Sequence, residues 1–189
     1  MAASYDAIAE SWCAARSGSS AAFRERRFVE GLVAPLSPKA RILDLGCGCG
    51  EPIGRWLADA GFELVGVDLS QRLLALAARA LPHATLVHGD MRTVDLRGPF
   101  DAIVAWDSVF HLPRRDHPAL FRRLAAWLAA GGRLLLSLGG SDQAGFTSDM
   151  HGATFFYSGD APARALAALG AAGFRIERWE VDDPSGRGH

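Results

Sequence analysis

The sequence predicts a doubly wound α/β domain built around a mostly parallel sheet. Three observations predict it. Short apolar runs alternate with helix-periodic segments over the last three quarters of the chain. One of those runs, Arg41–Leu45, breaks into a glycine-rich loop, Gly46-Cys47-Gly48-Cys49-Gly50, that opens onto a helical pattern. With 189 residues, of which 49% are hydrophobic, the chain suits one domain with enough apolar side chains to cover a sheet on both faces.

The elements follow in order. Two helices, over 4–15 and 22–36, are joined by Ser17-Gly18-Ser19-Ser20 and precede the sheet. They are placed to cover its ligand end, so residues 1–38 form a helical cover within a single domain of 1–189. After the first strand, Pro52 suits a first helical turn, Ile53, Trp56, Leu57 and Ala60 share a face, and Gly61 suits the exit. Residues 63–67 read as the second strand. Ser70 can cap a helix carrying Leu73, Leu74, Ala77 and Leu81, which Pro82 stops. Residues 85–88 make a weaker third strand and 100–106 a fourth. An amphipathic helix over 118–130, with Leu120, Phe121, Leu124, Trp127 and Leu128, ends at Gly131-Gly132. Residues 133–138 are apolar at nearly every position, as in a strand covered on both faces. A last helix spans 162–172 and ends at Gly173, residues 175–181 read as a sixth strand, and the tail from Asp182 is turn-rich.

Composition narrows the function classes. The net charge is −1, so charge alone argues against a nucleic-acid partner. Arg114-Arg115 and Arg122-Arg123 read as solvated helix faces, as do Arg24, Arg26 and Arg27, though one of these can meet an acidic substrate. No stretch reads as a signal peptide or a membrane span, which points to a cytoplasmic protein. Three cysteines, Cys13, Cys47 and Cys49, do not form a disulfide framework. The spacing of Cys47 and Cys49 lacks the second pair that a metal site needs, so loop packing is their simpler role; an arsenic site with Cys13 as the third thiol is a remote option.

In open α/β sheets the ligand lies beyond the carboxyl ends of the strands. There the glycine loop lets backbone approach a ligand, and the helix start offers free N–H groups. A dinucleotide fingerprint needs glycine at the first, third and sixth positions, and counting from Gly46 the sixth is Glu51. That carboxylate is a poor neighbour for pyrophosphate and no obstacle to a cationic sulfonium.

Ile42-Leu43-Asp44-Leu45-Gly46-Cys47-Gly48-Cys49-Gly50 resembles the first motif of class I methyltransferases. The resemblance implies a Rossmann-like fold, S-adenosylmethionine as cofactor, and methyl transfer to a small-molecule acceptor. Asp68, at the end of the second strand with Leu69 beside it, is then the ribose-binding carboxylate. His88-Gly89-Asp90-Met91 follows the third strand, where the family places an acidic reader of the adenine amino group and an apolar flank. Trp106-Asp107-Ser108 follows the fourth, near the methionine part and the substrate. Tyr5-Asp6-Ala7-Ile8-Ala9 is similar to the opening of small-molecule methyltransferases, where a tyrosine closes over the cofactor. The Asn/Asp-Pro-Pro-Tyr motif of nucleic-acid amino-methylases is absent. The cofactor-binding residues so implied are Tyr5, Asp44, Gly46, Cys47, Gly48, Gly50, Asp68, Leu69, Asp90, Met91 and Trp106.

Several of these residues keep a second reading. Asp44 can cap nearby backbone, Asp68 can cap the helix that follows it, although Ser70 is the better cap, Asp90 can be a solvated carboxylate, and Met91 can be core. His111 is the candidate general base, because its ordinary pKa lies near neutrality, and Asp107 is the second catalytic candidate; a structural histidine is the alternative. His151 and Tyr157 sit in an aromatic segment that makes a natural substrate wall. Rival functions are a non-catalytic or regulatory S-adenosylmethionine-binding protein, a protein or RNA methyltransferase, and a nicotinamide enzyme. The class I sheet usually has the order 3-2-1-4-5-7-6. Here the sixth candidate strand is followed only by the tail to His189. The expectation is therefore a sheet without the seventh strand, with unpaired backbone between the fifth and sixth and an altered edge.

Overall fold

The computed structural model describes residues 1–17, 23, 25–140 and 142–181. Gly18, Ser19, Ser20, Ala22, Arg24 and the tail from Asp182 lie outside the described residues. Two helices, α1 (Ala2–Arg16) and α2 (Arg26–Val33), precede β1 (Arg41–Leu45). There follow α3 (Ile53–Asp59), β2 (Glu63–Asp68), α4 (Gln71–Ala80), β3 (Thr85–His88), β4 (Phe100–Ala105), α5 (His117–Trp127) and β5 (Leu128–Leu136). A hairpin of β6 (Phe146–Met150) and β7 (Ala153–Tyr157) precedes α6 (Pro162–Ala171).

The main sheet has the order β3-β2-β1-β4-β5, and every pair is parallel. Successive side chains of a strand face opposite ways, so each strand feeds two cores. Leu43, Val65 and Ile103 pack with Leu120, Phe121 and Leu124 of α5 and Leu169 of α6. Ile42, Leu64, Ala102 and Val104 pack with Val29, Leu32 and Val33 of α2 and Leu57 of α3. Thus α2 lies on a sheet face, whereas α1 crosses the carboxyl ends of the strands and touches α4 and β7. Chain order reverses between β1 and β4, which opens a crevice at their carboxyl ends. Ser70 caps α4 as expected, its Oγ accepting from the Leu73 N–H at 3.0 Å.

The structure corrects the sequence reading in five places. Of the two helices within residues 1–38 only α1 covers the ligand end, because α2 packs its apolar side on the sheet face. α5 ends at Trp127, because Leu128 already pairs with Phe100; the ladder then slips before Ala102 meets Arg133, and Gly131 and Gly132 lie in that slip instead of ending a helix. β5 is an edge strand and only half-buried along most of its length, although Leu134 and Leu136 pack on one core and Leu135 on the other. The aromatic segment after it, where no strand was expected, forms an antiparallel hairpin. The expected sixth strand, 175–181, is not a strand. Its apolar residues Ile176, Trp179 and Val181 are exposed, so no buried face drives pairing. Ion pairs from Glu177 to Arg133 and from Glu180 to Arg27 hold the segment beside β5 and α2. No gap between a fifth and a sixth strand therefore arises among the described residues; the free edge is β5 itself.

Candidate functional site

A cavity of about 570 Å³ opens at the carboxyl ends of β1, β2 and β4, under α1. That size falls in the range of small-molecule sites. Its floor is the glycine loop, whose amides turn inward. Gly46 and Cys47 donate to Val67 O at 2.8 and 3.0 Å, and Gly50 donates to Cys47 O at 2.9 Å. The Gly48 N–H donates to Asp68 Oδ2 at 2.8 Å, and the Ser70 N–H to Asp68 Oδ1 at 2.8 Å. The amides of Gly46, Cys47, Gly48 and Gly50 are thus engaged within the protein, unlike those of a phosphate cradle. Asp68 takes part in the turn after β2 as well as lining the cavity, so Ser70 does not release it from backbone duty. Each carboxylate oxygen still has a second lone pair for a ligand hydroxyl.

Asp44 ends up 4% exposed with its carboxyl at the cavity. Burial, with the charge of Asp68 added, pushes its pKa up to about 7. Burial raises Asp68 as well. A carboxyl with a raised folded-state pKa contributes stability that is fully present below its ordinary pKa and lost as pH rises through the folded value. For Asp44 that loss ends near pH 7. In thermal melts of the unliganded protein, Asp44→Asn should match the parent at and below the ordinary carboxylate pKa, near pH 4. It should gain on the parent as pH rises, with the difference complete by pH 8. Melting curves that stay parallel over this range would show that Asp44 does not titrate there.

Asp90 lines the same cavity but is held by Arg92, with Nη2 to Oδ2 at 2.6 Å, and this bond keeps its pKa below the usual carboxylate range. Arg92 also pairs with Asp116 at 3.1 Å. Met91 lines the cavity while packing on the core, and Leu69 lines it from an exposed position. Trp106 is 9% exposed at the end of β4, its ring against Phe28.

The other half of the cavity is walled by α1 and the hairpin. His111 is buried; its Nδ1 lies 2.8 Å from Phe156 O and its Nε2 2.8 Å from the Tyr5 hydroxyl. A carbonyl only accepts, so Nδ1 carries the proton and Nε2 accepts from Tyr5. Burial lowers the His111 pKa and raises that of Tyr5, which keeps both groups neutral. Asp107 follows β4 with φ +50, its N–H donating to Ser137 Oγ at 2.8 Å. Arg16, anchored by buried Glu25 at 2.7 Å, reaches Asp107 at 3.9 Å. Of the hairpin, Thr147, Thr154, Phe155 and Phe156 line the cavity. Tyr157 instead stacks on Phe110 and Phe146, and His151 sits at the tip against Trp12.

The structure therefore gathers at one cavity every residue singled out at the strand ends except Gly50, which lies beneath the loop against Leu81. Sequence reading missed Trp12, Arg16 and Ser137. A usable signal existed for the first two: with Tyr5 they recur on one face of α1. Cys47 turns its Sγ toward Gly66. Among the described residues no group of three or more His, Cys, Asp or Glu side chains is placed to hold a metal ion. No helix among them is long and apolar enough to cross a membrane.

Residues 42–132 match the family model of a methyltransferase domain. The chain is 38% identical over 112 residues to dTDP-3-amino-3,6-dideoxy-alpha-D-glucopyranose N,N-dimethyltransferase of Streptomyces fradiae, covering 58% of this chain and 44% of that protein. It is 41% identical over 100 residues to trans-aconitate 2-methyltransferase of Yersinia pseudotuberculosis, covering 51% and 37%. The match thus spans less than half the length of these curated relatives. Among solved structures, a TehB-like SAM-dependent methyltransferase from Corynebacterium glutamicum superposes with a TM-score of 0.65 at 25% identity, over 90% of this chain and 83% of that one.

Proposed function

We propose that the chain, whose residues 42–132 match a methyltransferase domain, transfers a methyl group from S-adenosylmethionine to a small-molecule acceptor. The observation that carries this reading is the cavity floor: inward-turned amides beside the buried carboxyls Asp44 and Asp68 favour a cationic nucleoside over a pyrophosphate. The match over residues 42–132 and the relatives' action on an amino-sugar nucleotide and on trans-aconitate support it.

The cofactor, when bound, supplies an activated methyl on a sulfonium that an acceptor N, O, S or C atom takes directly. Asp68 would accept the ribose hydroxyls with its spare lone pairs, Asp90 and Met91 would meet the adenine, with Leu69 along its edge, and Asp44, Trp106 and the glycine loop would enclose the rest. Tyr5 and α1 would cover it. The acceptor would enter between His111, Asp107 and the hairpin, in a protein working in the cytoplasm.

For a hydroxyl or thiol acceptor, the proton leaves toward Tyr5 Oη while the Tyr5 proton moves to His111 Nε2, and the Nδ1–H···O=C bond to Phe156 steadies the imidazolium. The test is a screen of amine, hydroxyl and thiol acceptors for S-adenosylhomocysteine production, followed by single-turnover kinetics. With a hydroxyl acceptor, Tyr5→Phe and His111→Ala should each slow methyl transfer about 100-fold while cofactor affinity is kept. A full single-turnover rate in His111→Ala would remove the relay. Cofactor binding without turnover on any acceptor would favour the non-catalytic reading.

A further inference from the structure

Neither Cys13 nor Cys49 has a part in the chemistry above. Cys49 is buried in the glycine loop and lines the cavity, and Cys13 is half-buried on α1. The helix lies directly on the loop: Trp12 Nε1 comes 3.9 Å from the position a Cβ would occupy at Gly48. Cys13 packs against the buried cluster of Ala9, Cys49 and Leu73, beside Trp12, so the two thiols share one packed group. Both thiols are free. Cys47 faces elsewhere, with its Sγ packed against Gly66 and directed at Gly48 O.

We propose that Cys13 and Cys49 form a paired thiol site that a low-molecular-weight disulfide oxidises to a cross-link, fastening α1 across the cavity. The Cys13 thiolate, on the more exposed side, attacks the oxidant's disulfide, forming a mixed disulfide and releasing one thiol. Cys49 then gives up its proton and attacks the Cys13 sulfur, releasing the second thiol. The protein loses two electrons and two protons, and the oxidant becomes two thiols. Burial pushes the Cys49 pKa up to about 12, so the second step is slow at neutral pH and quickens as pH rises.

In the reduced protein α1 is held only by non-covalent contacts, such as Tyr5 with His111 and Asp6 with Ser70. These can open to pass a ligand, and a covalent tie from Cys13 to the loop removes that freedom. This consequence rests on the reading of the cavity as the cofactor site; the cross-link itself does not.

The test uses the full chain with oxidised glutathione, followed by blocking of free thiols and non-reducing peptide mapping. A Cys13–Cys49 peptide is expected, forming faster at pH 9 than at pH 7, with Cys47 still free. Cys49→Ala should stop at a glutathione adduct on Cys13. Release of S-adenosylhomocysteine from the cross-linked protein should slow at least ten-fold and recover with dithiothreitol. A wild-type chain that also stops at the Cys13 adduct, or links through Cys47, would overturn the pairing. A Cys13–Cys49 link with unchanged release would overturn the fastening of α1. Reduced protein that binds no S-adenosylhomocysteine would sink the cofactor reading instead, and the peptides would still report the cross-link.

Discussion

Replacing Gly46 with alanine is expected to abolish cofactor binding and to lower stability by about 2–5 kcal/mol. Gly46 has φ +89, a conformation that costs an L-residue about 1–2 kcal/mol. An added Cβ would also stand 2.4 Å from Ser108 Cβ. Ser108 cannot simply swing aside, because it is buried and its Oγ donates to Leu45 O at 2.8 Å. Forcing a methyl into such packing costs about 1–3 kcal/mol more. The strain falls where β1 and β4 flank the cavity, so the loop must shift and the floor with it. Gly48→Ala is the control: its φ is +55, but the nearest atom to the new Cβ is Trp12 Nε1 at 3.9 Å, so only the backbone penalty applies. Thermal melts and calorimetry with S-adenosylhomocysteine check both. A Gly46→Ala protein with parental melting temperature and affinity would mean that the loop does not sit against Ser108.

Asp68→Ala should weaken S-adenosylmethionine binding by at least about ten-fold, and more than the loss of one ligand contact would, because the side chain also holds the loop. Its two oxygens accept the Gly48 and Ser70 N–H groups. A buried donor left without an acceptor costs about 1–3 kcal/mol, and here two lose theirs next to the cavity floor. Asp68→Asn keeps one acceptor oxygen and should fall between alanine and the parent in both affinity and melting temperature. Unchanged affinity of Asp68→Ala in calorimetry would remove Asp68 from the binding site.

The parts of the fold that were legible in the sequence rest on local signals. The β1–loop–α3 unit and the Ser70 cap of α4 were read from neighbouring residues because the groups that form them are neighbours. The α5–β5 junction was misread because Leu128 fits a helical face equally well, and only its pairing with Phe100, distant in sequence, decides the matter. The apolar residues of 175–181 suggest a strand, but at 176, 179 and 181 they do not share one strand face, and Ile176, Trp179 and Val181 meet solvent. The β6–β7 hairpin carries no two-residue turn signature of the strong kind; its tip is His151-Gly152.

The candidate site divides the same way. Its strand-end residues, Asp44, Asp68, Asp90 and Trp106, all at the cavity, were singled out by their places after the strands together with the resemblance to class I methyltransferases. The Tyr5–His111 bond joins residues 106 positions apart, and Ser137 reaches Asp107 from the next strand. No local pattern encodes such pairs, although His111 and Asp107 were each singled out by their place after β4.

The central claim is that the cavity is built for a cationic adenosyl cofactor and not for a dinucleotide. Isothermal titration of the purified chain with S-adenosylmethionine, S-adenosylhomocysteine and NAD tests it most directly. The account predicts micromolar binding of the first two and none of NAD. A folded protein that binds NAD, or that binds neither S-adenosyl compound, would contradict it.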